Sequence, residues 1–293
     1  MENKLKKSLI AYLFILPAMI FLVIFVFYPI VASIPLAFYN YSVLGQSKYV
    51  GWANFTRALH DHVFWISVEN SLLFVGVVPP LQVLSIILAI LVNRKIRGIS
   101  FFRALYYIPV VTSMVAVSIT WGWIFDPQGL LNSFMISHGI FSKPISFLND
   151  PRFALLSLMF ITLWQGLGYY MMIYLAGLQS IPKELEESAY VDGATKTQVL
   201  FRITIPLLKP YIWLCTFMSV LSAVRVFDVV YVLTNGGPGN ATMVTSLYSF
   251  QKAFTNFDFG YSSAIGLLVA ILTTTLSILV FMYGGRKGGM SYY

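Results

Sequence analysis

Arg225 and Asp228 stand three residues apart in a run, about 210–232, that carries no other charge. Charged side chains inside so apolar a stretch are costly, and they face a cavity, a partner or each other. On a continuous helix the i, i+3 spacing puts both on one face, within reach of direct pairing. Counted from Pro210 at about 1.5 Å per residue, Arg225 lies roughly 22 Å along that helix. Two roles are open: a structural ion pair at a subunit contact, or part of the lining of a route through the protein. A second set is Trp164-Gln165-Gly166-Leu167-Gly168-Tyr169-Tyr170. Trp164, Gln165 and Tyr169 offer ring faces and hydrogen bonds, which together suit a sugar's CH faces and hydroxyl rim. Gly166 and Gly168 admit close backbone approach or a local break. Aromatic–glycine packing between helices is the competing reading.

Other chemistry is poorly supplied. No G-x-x-x-x-G-K-[ST] occurs, and Gly284-Gly285-Arg286-Lys287-Gly288 lacks its spacing, so ATP hydrolysis by that route is excluded. H-E-x-x-H and G-x-S-x-G are absent too. His60 and His62 form an H-x-H pair, but no further zinc ligands accompany them, so no metal site is expected. The single cysteine, Cys215, excludes an internal disulfide framework. An enzyme working inside a bilayer would have only Arg225 and Asp228 to work with.

The elements that must position these residues follow from composition. Of 293 residues, 58% are hydrophobic and only 10% charged, against roughly 25% charged in soluble domains. Disorder is excluded by the same balance. A spanning helix needs about 20 apolar residues. Charge-free intervals place six: about 9–36, 71–93, 104–125, 153–178, 210–232 and 262–283. Each is about twice the length of a barrel strand. The first follows Lys4, Lys6 and Lys7, as a signal peptide would. Its apolar stretch is too long for a signal core, so it is expected to stay as a membrane anchor. Pro79-Pro80 should kink the second span.

With the N-terminus inside, the inner segments hold thirteen Lys and Arg and the outer loops five. Lys95 and Lys287 are among the inner ones. Basic residues favour the cytoplasmic side, so both termini are expected inside. The charge is spread over loop ends with no single basic face, which disposes of nucleic acid as a partner. Three outer loops, about 37–70, 126–152 and 233–261, carry aromatics and turn residues and read as ordered caps.

The inner segment 179–210 is too long for a plain connection. Pro182 marks a helix start, and Glu184, Glu186 and Glu187 suit the positive end of its dipole. Leu185, Ser188, Ala189 and Asp192 share one face, and Asp192-Gly193 signals a turn. A second amphipathic stretch runs through Val199, Leu200 and Ile203, with Pro206 and Pro210 marking its end. An interfacial helix lying on lipid would not carry four acidic residues against a negative leaflet. Docking to a protein partner is the better reading.

The run Glu187-Ser188-Ala189-Tyr190-Val191-Asp192-Gly193-Ala194, with Phe201, Ile203, Pro206 and Pro210, resembles the EAA loop of ATP-binding-cassette importer permeases. Ser188 stands where the family's triplet has its middle Ala. The run Phe227-Asp228-Val229-Val230-Tyr231-Val232-Leu233-Thr234-Asn235-Gly236-Gly237-Pro238 resembles the carbohydrate-type permeases, which include those for maltose and glycerol 3-phosphate. So do Phe257-Asp258-Phe259-Gly260-Tyr261 and Tyr49-Val50-Gly51-Trp52-Ala53-Asn54-Phe55.

The resemblance implies an all-α integral membrane protein of the type I importer fold, multi-pass in the cytoplasmic (inner) membrane. It has six transmembrane helices, an N-terminal helix and first loop at 1–66, a five-helix core at 67–283 and a tail at 284–293. It implies a second related permease subunit, two ATPase subunits that hold ATP and Mg, an extracytoplasmic solute-binding protein, and no cofactor on this chain. Glu187, Ser188, Ala189, Asp192, Gly193 and Ala194 would couple to the ATPase. Asp192 would cap the helix that follows. Trp164, Gln165, Gly166, Tyr169, Ser222, Arg225 and Asp228 are the substrate-pathway candidates. A non-sugar solute is the alternative cargo. A secondary transporter is the alternative class, though internal repeats with broken helices would then be expected.

Overall fold

A computed structural model describes residues 2–41, 47–94 and 96–286 of the chain, and most of them are helical. Lys95 and Lys287, which entered the charge asymmetry, and most of the expected tail lie outside the described residues. The first apolar helix is α1 (Tyr12–Leu36). Two two-residue strands follow, β1 (Tyr39–Asn40) antiparallel to β2 (Lys48–Tyr49), with Tyr39 opposite Tyr49. Then come α2 (Ala53–His60), α3 (His62–Val92), α4 (Ile99–Val111), α5 (Met114–Phe125) and α6 (Leu130–Ser137). Next come α7 (Pro151–Ser180), α8 (Lys183–Val191), α9 (Lys196–Val199), α10 (Lys209–Val224) and α11 (Asp228–Leu233). A short α12 (Thr245–Phe250) precedes the last long helix, α13 (Phe259–Met282).

Among the described residues five helical stretches are long and apolar enough to cross a membrane, with α10 and α11 taken together as Lys209–Leu233, or six if one bent pair counts as a single span. That pair corrects the sequence reading. Residues 104–125 were expected to form one continuous helix, but Ile99–Val111 and Met114–Ser137 meet at 99°. Thr112 and Ser113 take extended ψ values of 138° and 133° at the break. Pro109 has already removed a backbone donor from the turn before it. Freedom from charge says nothing about backbone continuity. The second span also begins earlier than expected, at His62, because Glu69 sits exposed on the flank of α3 and does not mark its end.

Proline is accommodated elsewhere by changes of helical pitch. The 3₁₀ turn Phe74–Val77 precedes Pro79 and Pro80, and α3 runs on as one span. The π turns Val23–Phe27 and Leu200–Thr204 precede Pro29 and Pro206 in the same way. A local widening or tightening of the ladder frees the carbonyl that the ring would otherwise meet.

The chain divides into two compact units. One comprises residues 1–61 and 249–270. Inside it, Arg57 pairs with Asp258 at 2.6 Å and lies 4.0 Å above the Tyr261 ring, whose hydroxyl donates to Asp61 Oδ2 at 2.6 Å. Asn54, buried, donates to the carbonyls of Ala37 and Tyr39.

The other unit comprises residues 62–248 and 271–293. Its centre is α7, with Leu158, Ile161, Met171 and Tyr174 fully buried. Gly168 lets α7 meet α4 backbone to backbone, since a Cβ there would overlap the Tyr106 carbonyl. A buried polar cluster ties three helices of this unit. Gln82 on α3 donates to Ser219 Oγ (2.8 Å) and to the Cys215 carbonyl (3.3 Å) on α10. Tyr174 on α7 donates to Gln82 Oε1. Arg103 donates two bonds to the Val92 carbonyl, satisfying the C-terminal end of α3.

Candidate functional site

Two constellations emerge, both in the larger unit. The first is α8 with the turn and helix after it. Pro182 sits just before α8 as its N-cap residue, so the helix begins at Lys183, one position later than expected. Glu184 and Glu186 occupy the first turn, where the helix dipole favours negative charge. The helix closes with two bonds, Gly193 N–H to Tyr190 O (3.1 Å) and Ala194 N–H to Ala189 O (2.9 Å). These are the two bonds of a Schellman cap, which needs a left-handed residue after the C-cap. Gly193 supplies it with φ +82°, and a Cβ built there meets nothing within 4 Å in this chain. Asp192 is the C-cap residue of α8 and does not cap the next helix as expected. Thr195 does that, accepting from Gln198 N–H while the Gln198 side chain accepts from Thr195 N–H. The sequence Thr-x-x-Gln carries this capping box, so the signal was there to be found.

Glu187, Ser188, Asp192 and Gly193 are exposed, and Ala189 and Ala194 half-buried. Of the expected face, Leu185, Ser188 and Asp192 point outward. Large apolar side chains are exposed beside them: Tyr190, Phe201 and, at 88%, Val191. The opposite side is pinned to the chain by Thr204, buried, whose Oγ1 donates to Glu186 Oε1 at 3.2 Å. Two clefts flank the turn. One of about 290 Å³ is lined by Asp192, Gly193, Gln198 and Arg202. The other, of about 380 Å³, is lined by Arg94, Glu186, Tyr190 and Lys196.

The second constellation is a cavity of about 430 Å³ that gathers Gln165, Ser222, Arg225 and Asp228 with Met114, Thr162 and Phe227. The helical face expected to hold Arg225 and Asp228 does not form. Helix α10 stops at Val224, Arg225 is its C-cap, and α11 begins afresh at Asp228. Phe227 takes φ −142° and ψ −62° at the break. Among the described residues no ion pair joins Arg225 to Asp228. Both are exposed on the cavity lining.

A neighbouring cavity of about 320 Å³ shares Thr162, Gln165 and Ser222 and adds Gly166, Tyr169, Tyr170 and Ser219. Trp164 lines neither cavity. It packs edge-on to Trp121, 5.4 Å between centroids, in an aromatic group with Phe125 and Phe160. Thr162, Met114 and Ser219 were not legible as site residues, because nothing in their local sequence separates them from other span residues. Gln82, a lone amide inside an apolar run, could have been noticed.

Among the described residues no group of three or more His, Cys, Asp or Glu could hold a metal. The chain belongs to the family described as "Binding-protein-dependent transport system inner membrane component", whose profile matches residues 82–287. The probable ABC transporter permease protein YurN of Bacillus subtilis (strain 168) is 36% identical over 94% of this chain and 95% of its own length. The lactose transport system permease protein LacF of Rhizobium radiobacter is 34% identical over 94% of each chain. The trehalose/maltose transport system permease protein MalF of Thermococcus litoralis is 30% identical over 96% of this chain and 95% of its own. Among solved structures, a bacterial ABC transporter involved in the import of the acidic polysaccharide alginate superposes with a TM-score of 0.84. That match covers 97% of this chain and 98% of the other at 23% identity, and it establishes a shared fold.

Proposed function

We propose that the chain is the permease subunit of an ATP-driven, binding-protein-dependent importer of a sugar or sugar-like solute. It works with a second related permease, two ATP-binding-cassette ATPase subunits that carry ATP and Mg, and an extracytoplasmic solute-binding protein. Six crossings with both termini inside fit the distribution of Lys and Arg. A core at 67–283 and an anchoring segment at 1–66 are part of the same proposal.

The observation that carries it is the exposed face of α8 and of the π turn Leu200–Thr204. Val191, Tyr190, Leu185 and Phe201 stand out from the chain among Glu187, Asp192 and Arg202. Large apolar side chains clustered with charge mark a protein interface. On the cytoplasmic side the partner is the ATPase. Glu187, Ser188, Ala189, Asp192, Gly193 and Ala194 seat there, and Glu186–Thr204 transmits the displacement to α10. Gln165, Gly166, Tyr169, Ser222, Arg225 and Asp228 contact the solute as it passes, while Trp164 supports α7 from behind. The relatives named for lactose and trehalose/maltose support the carbohydrate class.

Isolation of the chain from membranes should bring down an ATPase and a second permease, and reconstitution with the binding protein should give ATP-dependent sugar uptake. Uptake by this chain without an ATPase would overturn the proposal. Stimulation by amino acids with no response to any sugar would overturn its carbohydrate part.

A further inference from the structure

We infer that α6 is an interfacial helix whose outward face lies in the outer leaflet of the membrane, so that lipid holds the cap between α5 and α7. The leaflet rests on the proposed topology, with both termini inside.

Helix α6 is built inside out. Asn132, buried, donates to the Asp126 (3.0 Å) and Ile145 (2.9 Å) carbonyls and accepts from Ile145 N–H (2.8 Å). Both donors of its amide are used. At helical spacing Leu130 and Phe134 fall on the side opposite Asn132, and both are exposed, Leu130 at 75%. Ser137, on that same side, returns its hydroxyl to the Phe134 carbonyl at 2.9 Å. Ile140 and Phe141 continue the exposed apolar surface past the helix end. A helix standing in water carries its polar face outward and buries its apolar one.

Charge and continuity say what covers this face. From 127 to 142 there is no Asp, Glu, Lys or Arg. A surface visited by a soluble partner is wet between visits and carries a polar rim. The exposed face runs back along α5 as Val115, Ile119 and Trp123, at four-residue spacing, and α5 belongs to the bent span. Gly129 seats α6 on the end of α5, since a Cβ there would overlap the Trp123 carbonyl. Lipid that covers α5 therefore extends on to α6. Trp123, 73% exposed, stands before the charge-free stretch and Lys143 after it. Both are residue types that anchor a segment at headgroup level. At 8 residues, about 12 Å, α6 is too short to cross the bilayer and suits lying in its plane.

The test is spin labelling of the assembled complex in lipid nanodiscs, with partner subunits free of reactive cysteine. Cys215 is buried and stays unlabelled. Labels at Leu130→Cys and Phe134→Cys should collide with oxygen several-fold more than with a water-soluble nickel chelate. Preference for nickel at both positions would show a cap standing in water and overturn the inference. Exclusion of both reagents would assign the face to a protein neighbour and overturn it too. A photo-crosslinking residue in place of Phe134 reads the neighbour directly. Capture of lipid supports the inference, and capture of the binding protein or the second permease overturns it. In intact cells an impermeant thiol reagent should reach Lys143→Cys. Reaction only after the cells are opened would overturn the topology, and the outer leaflet with it.

Discussion

The α8–α9 segment and the Arg225–Asp228 cavity arrange their side chains in opposite ways. Along α8 and its turn the residues named by the motif are contiguous in sequence, and most face away from the chain. Around the cavity the residues come from α5, α7, α10, α11 and the break between the last two, and they share a space none of those helices defines alone. A surface built for a partner can be written in one short stretch, because the partner supplies the other half. A cavity within the chain has to be assembled from distant stretches, so its composition depends on how the helices pack.

The largest expected effect breaks the first region and spares the second. Gly193→Leu and Gly193→Ala both carry the left-handed backbone cost, at the low end about 1 kcal/mol, and only Leu adds bulk toward a partner. Neither clashes within this chain, since the space around a Cβ there is empty. Leu should therefore cut uptake per inserted molecule by about tenfold or more, the effect of losing 1.4 kcal/mol at an interface, while ATP hydrolysis continues. Ala should stay within about fivefold of the parent on the strain cost alone. Uptake and ATPase activity measured in the same membranes decide it, and normal uptake per molecule with Leu would end the coupling reading.

Gly168→Ala attacks the packing behind the cavity. A Cβ there meets the Tyr106 backbone, which has no flexible end to give way. Overpacking of this kind costs about 1–3 kcal/mol. It should appear as a lower melting temperature of the purified complex and reduced abundance, with uptake falling in proportion. An unchanged melting temperature would show that α4 and α7 can part more easily than their contact implies.

Thr204→Val sharpens the comparison by loosening the link between the α8 segment and α10. It removes the donor to Glu186 Oε1 and leaves the volume nearly constant. The loss is about 1 kcal/mol, seen as a few-fold fall in uptake for each ATP hydrolysed, with the melting temperature little changed. An unaltered ratio of uptake to hydrolysis would show that the bond is incidental.

The smallest effect lies at Asp150, remote from both regions. It caps α7 by accepting from Arg152 N–H, and its carboxylate pairs with the Arg152 guanidinium at 2.7 Å. That side-chain bond, with the backbone bond beside it, holds the carboxyl at about 2, below its usual 3.8. A depressed value in the folded chain means its contribution is complete above the usual carboxylate range and is lost as pH falls through about 2. Asp150→Asn should therefore lower the melting temperature slightly and by the same amount from pH 5 to pH 8. A difference that varied across that window would reassign the cap.

Most of the architecture was determined by the sequence alone. Apolar length forces helices on a chain that must satisfy its backbone without water, and five of the six expected spans correspond to long apolar helices. The α8 segment was equally legible, because Pro182, the acidic first turn and Asp192-Gly193 act on their immediate neighbours. The Schellman bonds close within six residues, Ala189 to Ala194. What the tertiary structure decided was continuity and company. The bend at Thr112 and Ser113 and the break at Arg225–Phe227 lie in apolar runs that carry no sign of interruption strong enough to predict. A helix is broken there only because packing repays the lost backbone bonds. Breaking α10 separated Arg225 from Asp228, and the packing of α5, α7, α10 and α11 then set them in one cavity with Gln165 and Ser222. Periodicity can place a residue on a face, but which faces meet depends on contacts between segments that the local sequence does not encode.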